Sequence, residues 1–199
     1  MCEPCLAGLR RLGGPGCARC GAPTAWPVAR CRECQGRRLA FASACAAVAY
    51  DAGAKAFVSS WKERGLRGLS RDAAMLVAEV VPRPRAYAIT FVPPDADRAL
   101  KRGHHPAEAL ARTLASRWQL AAEALLERTR PAPPQRGLGL AERRRNVRGG
   151  FRSPARVPTT VVLVDDVYTS GATATAAASA LRKAGARHVA VVTFARAVR

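Results

Sequence analysis

The stretch VVLVDDVYTSGATATAAASALRKAGARHVAVVTF, residues 161–194, decides the fold. An apolar run ends in two adjacent carboxylates, Asp165 and Asp166, and a loop of small and hydroxylic residues follows them. The next residues have helical spacing up to Gly185, where a helix is expected to stop, and a second apolar run closes the stretch. Strand, helix and strand in this order predict one unit of a parallel α/β sheet.

The same alternation continues toward the N-terminus. Apolar spacing predicts strands in ASACAAVAYD and AYAITFVPP and helices in AKAFVSSWKERG and SRDAAMLVAEVV. The longest helix signal is HPAEALARTLASRWQLAAEALLER, residues 105–128, and a Pro/Gly loop without periodicity follows at 129–140. We therefore expect an α/β fold, with a Rossmann-like parallel sheet and flanking helices.

The first part of the chain has a different composition. Residues 1–38 are rich in Cys, Gly, Pro and Arg and show little periodicity. They can bury little apolar surface, so a stable fold needs a bound metal or another cross-link. The composition changes near residue 40. The sequence thus predicts a small module at 1–40, followed by an α/β domain at 41–199.

Six of the seven cysteines form three Cys-x-x-Cys pairs within 33 residues. Two of the pairs make a C-x₂-C-x₁₀-C-x₂-C pattern that suits one tetrahedral zinc: Cys17, Cys20, Cys31 and Cys34. Gly21 follows Cys20 directly, as expected where a zinc knuckle turns with positive φ. Such a zinc is structural, because this segment leaves no ligand position open to water.

The remaining cysteines are assigned less directly. Cys2 and Cys5 either lack partners or displace one of the later pairs as metal ligands. Cys45 lies in an alanine-rich apolar run, which predicts a buried core cysteine.

The charge balance favours anionic partners. Lys and Arg total 33 against 14 Asp and Glu, a net charge of +19, which should attract nucleic acid, nucleotides, phosphates or anionic membrane. The alternative explanation of the positive charge is a genome rich in G and C, whose proteins contain much arginine and alanine. No apolar run is long enough to cross a membrane, and the N-terminus does not look like a signal peptide, so a cytoplasmic protein is expected.

The two acids and the loop after them suit a phosphosugar. The carboxyl ends of parallel strands bind ligands in open α/β sheets, and the loop before a helix offers N–H and hydroxyl donors to a phosphate. Asp165 and Asp166 can accept hydrogen bonds from ribose hydroxyls, and they can support Mg²⁺ on a pyrophosphate. The loop residues that would hold the 5′-phosphate are Thr169, Ser170, Gly171, Ala172 and Thr173. No P-loop lysine follows them; the alternative is an ordinary strand–turn–helix junction with Asp and Thr as caps.

The segment VVLVDDVYTSGAT resembles the phosphoribosyl pyrophosphate (PRPP) motif of type I phosphoribosyltransferases, with Ser170 in place of the usual second threonine. Three further segments narrow the resemblance to the ComF family of competence-associated proteins. They are FVPPDADRALKRGHHPAEALA, RTRPAPPQRGLGLAERRRNVRGGF, and SSWKERG with its Lys62 and Gly65. The matching positions of the second segment are Gln135, Glu142, Arg143, Arg144, Asn146 and Phe151. The cysteine region resembles the family's N-terminal double zinc ribbon.

The chain departs from the family pattern in three places. The residues Gly103-His104-His105-Pro106 replace the usual Gly-Phe-Asn-Gln, and the segment between Pro93 and Arg98 is about two residues short. The first Cys pair of the ribbon is missing, so either this lineage lost one zinc or the chain starts downstream of the real start.

The resemblance implies a type I phosphoribosyltransferase fold and binding of PRPP with Mg²⁺, next to a structural zinc. It also implies single-stranded DNA as a partner, and with it a competence helicase or the membrane DNA-uptake machinery. Three functions stay open: a PRPP-binding protein of DNA uptake, a true phosphoribosyltransferase with an unknown acceptor, and a PRPP-sensing DNA-binding regulator. Candidates for contact with pyrophosphate or with the DNA backbone are Arg98, Lys101 and Arg102. Candidates for a mobile cover or for the same DNA surface are Arg143, Arg144 and Arg145. The alternative for all six residues is a solvated basic face.

No catalytic residue is assigned from the sequence. His104 and His105 could act as acid or base near neutral pH, and their adjacency lets at most one of them face the site.

Overall fold

The computed structural model describes residues 2–94, 103–129 and 149–198. The elements of the main sheet and its helices run in chain order: β1 (Ser43–Ala49), α2 (Ala52–Lys62), α3 (Leu69–Val80), β2 (Ala88–Phe91), α4 (Pro106–Trp118), β3 (Ala121–Ala122), β6 (Thr160–Tyr168), α5 (Ala172–Lys183) and β7 (His188–Arg196). The smaller elements are a short helix α1 (Glu3–Ala7), a 3₁₀ helix at Arg32–Cys34, and the strands β4 (Glu127–Arg128) and β5 (Phe151–Arg152).

The five-stranded sheet is parallel throughout and has the order β1-β7-β6-β2-β3. Its central strands are nearly continuous runs of Val, Ala, Leu and Ile because both of their faces are covered. Strands β4 and β5 form a separate antiparallel pair. The predicted class, an α/β domain with a parallel sheet preceded by a cysteine-rich segment, is confirmed.

Two hydrophobic cores lie on opposite faces of the sheet. The first packs α2, α3 and α4 against the sheet, with Phe57 stacked on Phe194 at 4.4 Å and Trp61 set edge-on against both rings. The second core packs α5 and the buried cysteines against the other face, around Phe41 and Leu163. The central strand β6 is therefore held between α-helices on one side and the cysteine segment with α5 on the other.

The cysteine segment is packed into this arrangement. Leu9 belongs to the first core, and Arg11 forms a backbone bridge with Val48 of β1. Cys17, Cys20 and Cys34 belong to the second core. The domain boundary at residue 40 stays a prediction.

The long helix predicted at 105–128 is shorter than expected. Helix α4 ends at Trp118, and Gln119 takes a left-handed conformation with φ 53°. The chain then extends, so that Leu120 and Ala122 pack on the first core while Leu126 reaches the second. A continued helix could not serve both cores, and tertiary packing therefore overrides the helical periodicity.

The prediction for Cys45 is wrong. Ala44 and Ala46 on either side of it are buried, whereas Cys45 is exposed near the start of the edge strand β1. Among the described residues, no helix has the length and apolar character needed to cross a membrane.

Candidate functional site

Asp165 and Asp166 lie in the carboxyl-terminal half of β6, the central strand of the sheet. Successive side chains of a strand point to opposite faces, so the two carboxylates serve different surroundings. Asp165 pairs in register with Thr193 of β7 and lines a small cavity beside the following loop. Asp166 does not line that cavity but forms an ion pair with Lys62.

The environment of Asp165 favours its neutral form. Burial, and after it the negative charge of Asp166, raises the pKa of Asp165 to about 7 from an ordinary value of 3.8. The charge of Lys62 and a hydrogen bond from the backbone N–H of Asp166 to Oδ1 of Asp165, at 2.9 Å, oppose this rise. Asp165 can therefore change charge near neutral pH, which is uncommon for a carboxyl group.

Lys62 reaches the acids because the aromatic core fixes the end of α2. Its neighbour Trp61 is fully buried and donates from Nε1 to Oγ of Ser70 at 3.1 Å. The side chains of Lys62 and Asp166 are 24% and 16% exposed, so their ion pair is largely withdrawn from solvent. The sequence resemblance singled out Lys62, and the structure brings it to the acids.

The loop after β6 turns tightly at Gly171. This residue has φ 70° and is followed by the first turn of α5, which has no side-chain cap. A Cβ at Gly171 would lie 2.6 Å from Cζ of Tyr168, so only glycine fits. The first backbone N–H groups of a helix have no acceptor within it, and that of Ala172 donates instead to Oγ of Ser170 in the loop, at 3.3 Å.

The cavity in front of this loop is small. Its lining combines Asp165, Thr193 and the predicted loop residues Thr169 to Thr173, and its volume is about 20 Å³. That volume is close to one water molecule. A phosphate group therefore needs the loop to shift, or it binds at the outer side of the loop.

Further polar groups surround the acids. Nε of Arg128 donates to the carbonyl of Pro93 at 3.0 Å, its guanidinium lies 4.7 Å from the centre of the Phe151 ring, and its charge lowers the pKa of Asp165 slightly. The sequence reasoning assigned no role to Arg128, because this residue ends the segment 105–128, which reads as helix.

The two histidines have structural contacts. Nε2 of His104 lies 2.7 Å from the carbonyl of Trp61, and Nδ1 of His105 lies 3.6 Å from Oε2 of Glu108. The His105 ring also meets Phe91 edge-on, and burial lowers its pKa. These contacts give neither histidine a catalytic assignment.

The remaining predicted contacts lie outside the described residues. These are the candidates for pyrophosphate, cover or DNA contact: Arg98, Lys101, Arg102, Arg143, Arg144 and Arg145. They stay predictions.

The four predicted zinc ligands form a compact cluster. The Sγ atoms of Cys17, Cys20, Cys31 and Cys34 all lie within 4.8 Å of one another. Cys17 and Cys34 are 3.9 Å apart, and Cys20 and Cys31 are 3.6 Å apart. Sulfur ligands at about 2.3 Å from a tetrahedral zinc are about 3.8 Å apart, so the residues fit this metal.

The surroundings of Cys17 suit a thiolate, whereas burial raises the pKa of Cys20 and of Cys34 when no metal is bound. The backbone N–H of Cys31 donates to Sγ of Cys17 at 3.2 Å. Burial works against ionisation, but backbone N–H donors outweigh it and lower the pKa of Cys17 to about 7. Gly21 has φ 67°, which confirms the predicted tight turn of the knuckle. The cluster could hold a metal ion such as zinc.

Cys2 and Cys5 are not part of this cluster. Both are exposed and lie at the short helix α1. Within the described part of the chain, only the four later cysteines come together as a possible metal site.

Two arginines join the cysteine cluster to the loop after β6. Arg196 at the end of β7 is 1% exposed and binds both the carbonyl of Cys20 and the carboxylate of Glu33. Arg37 donates to the carbonyls of Glu33 and Ser170. Sequence reasoning missed both residues. The one available signal concerned Arg196, which is an arginine at the end of the apolar strand β7.

Comparison with known proteins gives one informative relative. No protein-family model matches the chain. The competence protein ComFC of Streptococcus pneumoniae (strain ATCC BAA-255 / R6) is 25% identical over 197 residues, and the match covers 95% of this chain and 84% of the relative. This likeness supports the predicted resemblance to the ComF family.

The likeness to ComFC extends over the segments around Lys62 and Asp165 that carry the resemblance of the motifs. Among solved structures, the TT1426 protein of Thermus thermophilus matches at 19% identity with a TM-score of 0.39, over 65% of this chain and 83% of that one.

Proposed function

We propose that this chain is a competence-related protein of the ComF family and that it binds PRPP at the end of β6. The observation that carries the proposal is the convergence of Asp165 with an uncapped helix N-terminus on one loop, at the carboxyl edge of the central parallel strand. Parallel sheets bind ligands at this edge, and helix N-termini favour phosphate.

Each half of the site suits one part of the ligand. Carboxylate oxygens of Asp165 and Asp166 accept hydrogen bonds from the ribose hydroxyls, and the ion pair with Lys62 keeps the charge of Asp166 in place. The N–H groups and hydroxyls of Thr169 to Thr173 donate to the 5′-phosphate. Mg²⁺ bound with the pyrophosphate would neutralise part of the leaving group's charge.

In a transferase of this type, the bond from ribose C1 to pyrophosphate breaks while a bond to the acceptor forms. This reaction needs no covalent nucleophile from the protein. The chain's residues would hold the phosphosugar, stabilise the developing charge and exclude water. The predicted arginines and lysine at 98, 101 and 102 would contact the pyrophosphate.

Isothermal titration calorimetry with Mg²⁺–PRPP tests this proposal. Wild-type protein should bind, and the double variant Asp165→Asn/Asp166→Asn should lose at least about tenfold in affinity, since it weakens two charge-assisted sites. The double variant Glu3→Gln/Glu123→Gln changes the net charge equally at exposed positions and should bind like wild type. If the wild type does not bind PRPP, the proposal fails.

Turnover assays with the common nucleobases separate an enzyme from a sensor. Pyrophosphate release with one base would identify a phosphoribosyltransferase. Binding without turnover would favour a PRPP-sensing role in DNA uptake.

The net charge of +19 and the ComFC relative favour a second activity, which is handling of single-stranded DNA during competence. In that setting, the expected partners are a competence helicase or the membrane uptake machinery. Binding of labelled single-stranded DNA, measured with and without PRPP, tests whether the two ligands are coupled.

We also propose that the cysteine cluster holds one structural zinc. Metal analysis of purified protein should find one zinc per chain, lost in Cys17→Ser and retained in Cys2→Ser. Full retention of zinc in Cys17→Ser would refute this assignment.

A further inference from the structure

Arg196 is a buried cation whose partners both belong to the cysteine segment. Its guanidinium donates to the carbonyl of Cys20, a predicted zinc ligand, and to Oε2 of Glu33 at 2.9 Å. Its Nε is buried without a hydrogen-bond partner in the described structure. Because burying a cation is costly, loss of either partner would force Arg196 to rearrange.

The same guanidinium supports the loop after β6. It lies 5.0 Å from the centre of the Tyr168 ring, a distance typical of a cation–π contact. The Tyr168 ring fills the space beside Gly171, as the blocked Cβ position shows. A shift of Arg196 therefore reaches the turn that precedes α5 through a single side chain.

Arg37 makes a second connection between the cysteine segment and the loop after β6. One of its nitrogens donates to the carbonyl of Glu33, and another donates to the carbonyl of Ser170 in the loop. Both arginines thus share Glu33 as an anchor, and both reach the segment between Tyr168 and Gly171.

Glu33 is in turn fixed by the cysteines. It lies in the 3₁₀ helix Arg32–Cys34, between two of the four clustered thiols, Cys31 and Cys34. A metal bound by the four thiolates would tie Cys31 and Cys34 to Cys17 and Cys20, so we expect the position of this helix to depend on the metal. The chain of contacts runs from the metal site through Glu33 and the two arginines to the loop.

We propose that Arg37 and Arg196 are positioning residues, which hold the loop at Thr169 to Gly171 in a geometry that depends on metal in the cysteine cluster. The consequence for ligand affinity rests on the proposed binding of PRPP. The positioning itself does not depend on it.

Hydrogen exchange of the full-length, metal-loaded protein tests the positioning without any ligand. Backbone amides at 168–174 should exchange roughly tenfold faster in Arg37→Ala, because their support is weakened. The matched control is Arg38→Ala, which removes an exposed neighbouring arginine and should leave the loop unchanged. Metal content is measured in each variant to show that zinc is retained.

Chelation and Arg196→Lys complete the test. Both should accelerate exchange at 168–174 while helix α3, on the opposite face of the sheet, keeps its protection. If α3 loses protection too, the protein has unfolded globally. The exchange of the loop in Arg37→Ala then decides whether the positioning proposal holds. Unchanged loop exchange in zinc-loaded Arg37→Ala would overturn the proposal.

Titration with Mg²⁺–PRPP then measures the functional consequence. Arg37→Ala should bind less tightly than Arg38→Ala. If wild type binds no PRPP, the proposed function fails while the exchange data still decide the positioning. If PRPP binds equally to both variants despite faster exchange, the loop does not set affinity and that consequence is wrong.

Discussion

Asp165 combines a partly buried carboxyl group with a second acid at the next position. The backbone N–H of Asp166 and the cation of Lys62 only partly offset the cost of burying this charge. Such a group is available to accept hydrogen bonds from a neutral polyol, which brings no charge of its own. The residue thus serves a ligand better than it serves stability.

The pH dependence of stability should show this cost. The pKa of Asp165 is about 7 in the folded chain and 3.8 ordinarily, so the folded state holds a proton that the unfolded state has released. Its contribution is full below pH 3.8 and is lost as the pH rises through 7. Stability should fall over this window by up to about 4 kcal/mol, at about 1.4 kcal/mol per pKa unit.

Urea denaturation at several pH values measures that change in wild type and in Asp165→Asn. The difference between the two proteins isolates the carboxyl group. A pH-independent difference would show that Asp165 has an ordinary pKa.

Replacing Gly171 should destabilise the protein more than replacing an unhindered glycine such as Gly65. Alanine there is strained at φ 70° and collides with the Tyr168 ring, so we expect a loss of about 2–4 kcal/mol. Gly65 has φ 66° and no atom within 4 Å of the position that a Cβ would take, so Gly65→Ala should lose only about 1 kcal/mol. Equal losses of unfolding free energy in the two variants would rule out the collision.

At the level of elements, helix α4 illustrates how a local preference yields to the fold. Residues 105–128 keep helical spacing, yet the helix ends at Trp118 and the chain adds the short strand β3 to the sheet. The end is made by Gln119, among the described residues the only one other than glycine with positive φ. This strain is offset by burial of Leu126 in the second core.

Replacing Gln119 with glycine should therefore stabilise the protein by about 1 kcal/mol, because glycine adopts the left-handed conformation freely. The same substitution two residues earlier, Arg117→Gly, lies inside the helix and should cost about 1 kcal/mol. Thermal or urea denaturation measures both. Changes of the same sign would contradict this account of the helix end.

At the scale of the whole molecule, the dominant property is the charge of +19 on a chain with few aromatic residues. Stacking platforms for single-stranded nucleic acid need several aromatic side chains, and the sequence has only 6% scattered along its length. Any binding of single-stranded DNA should thus come from contacts with phosphates.

Such binding should depend steeply on salt. An interface that neutralises about four phosphates of a single strand loses about 50-fold in affinity between about 50 and 200 mM salt. Fluorescence anisotropy with a labelled oligonucleotide at several salt concentrations measures this slope. An affinity that hardly changes with salt would show that the binding is not electrostatic.

The sequence alone determined the alternating order of the main strands and helices and the residues of the candidate sites. Alternating apolar runs predicted the parallel sheet, because a strand buried on both faces must be apolar throughout. Cysteine spacing predicted the four-thiol cluster, because two Cys-x-x-Cys turns can meet around one tetrahedral ion. The acids and the small-residue loop were likewise readable, since both halves lie within nine residues of one strand end.

Only the tertiary structure decided how these parts meet. It placed Asp165 at the small cavity and Asp166 beside Lys62. Lys62 and Asp166 are about a hundred residues apart in the sequence. It joined the cysteine segment to the loop through Arg37 and Arg196, at separations of 133 and 176 residues along the chain. Contacts of this range leave no periodic trace in a sequence, because they follow from which faces of the sheet the two cores cover.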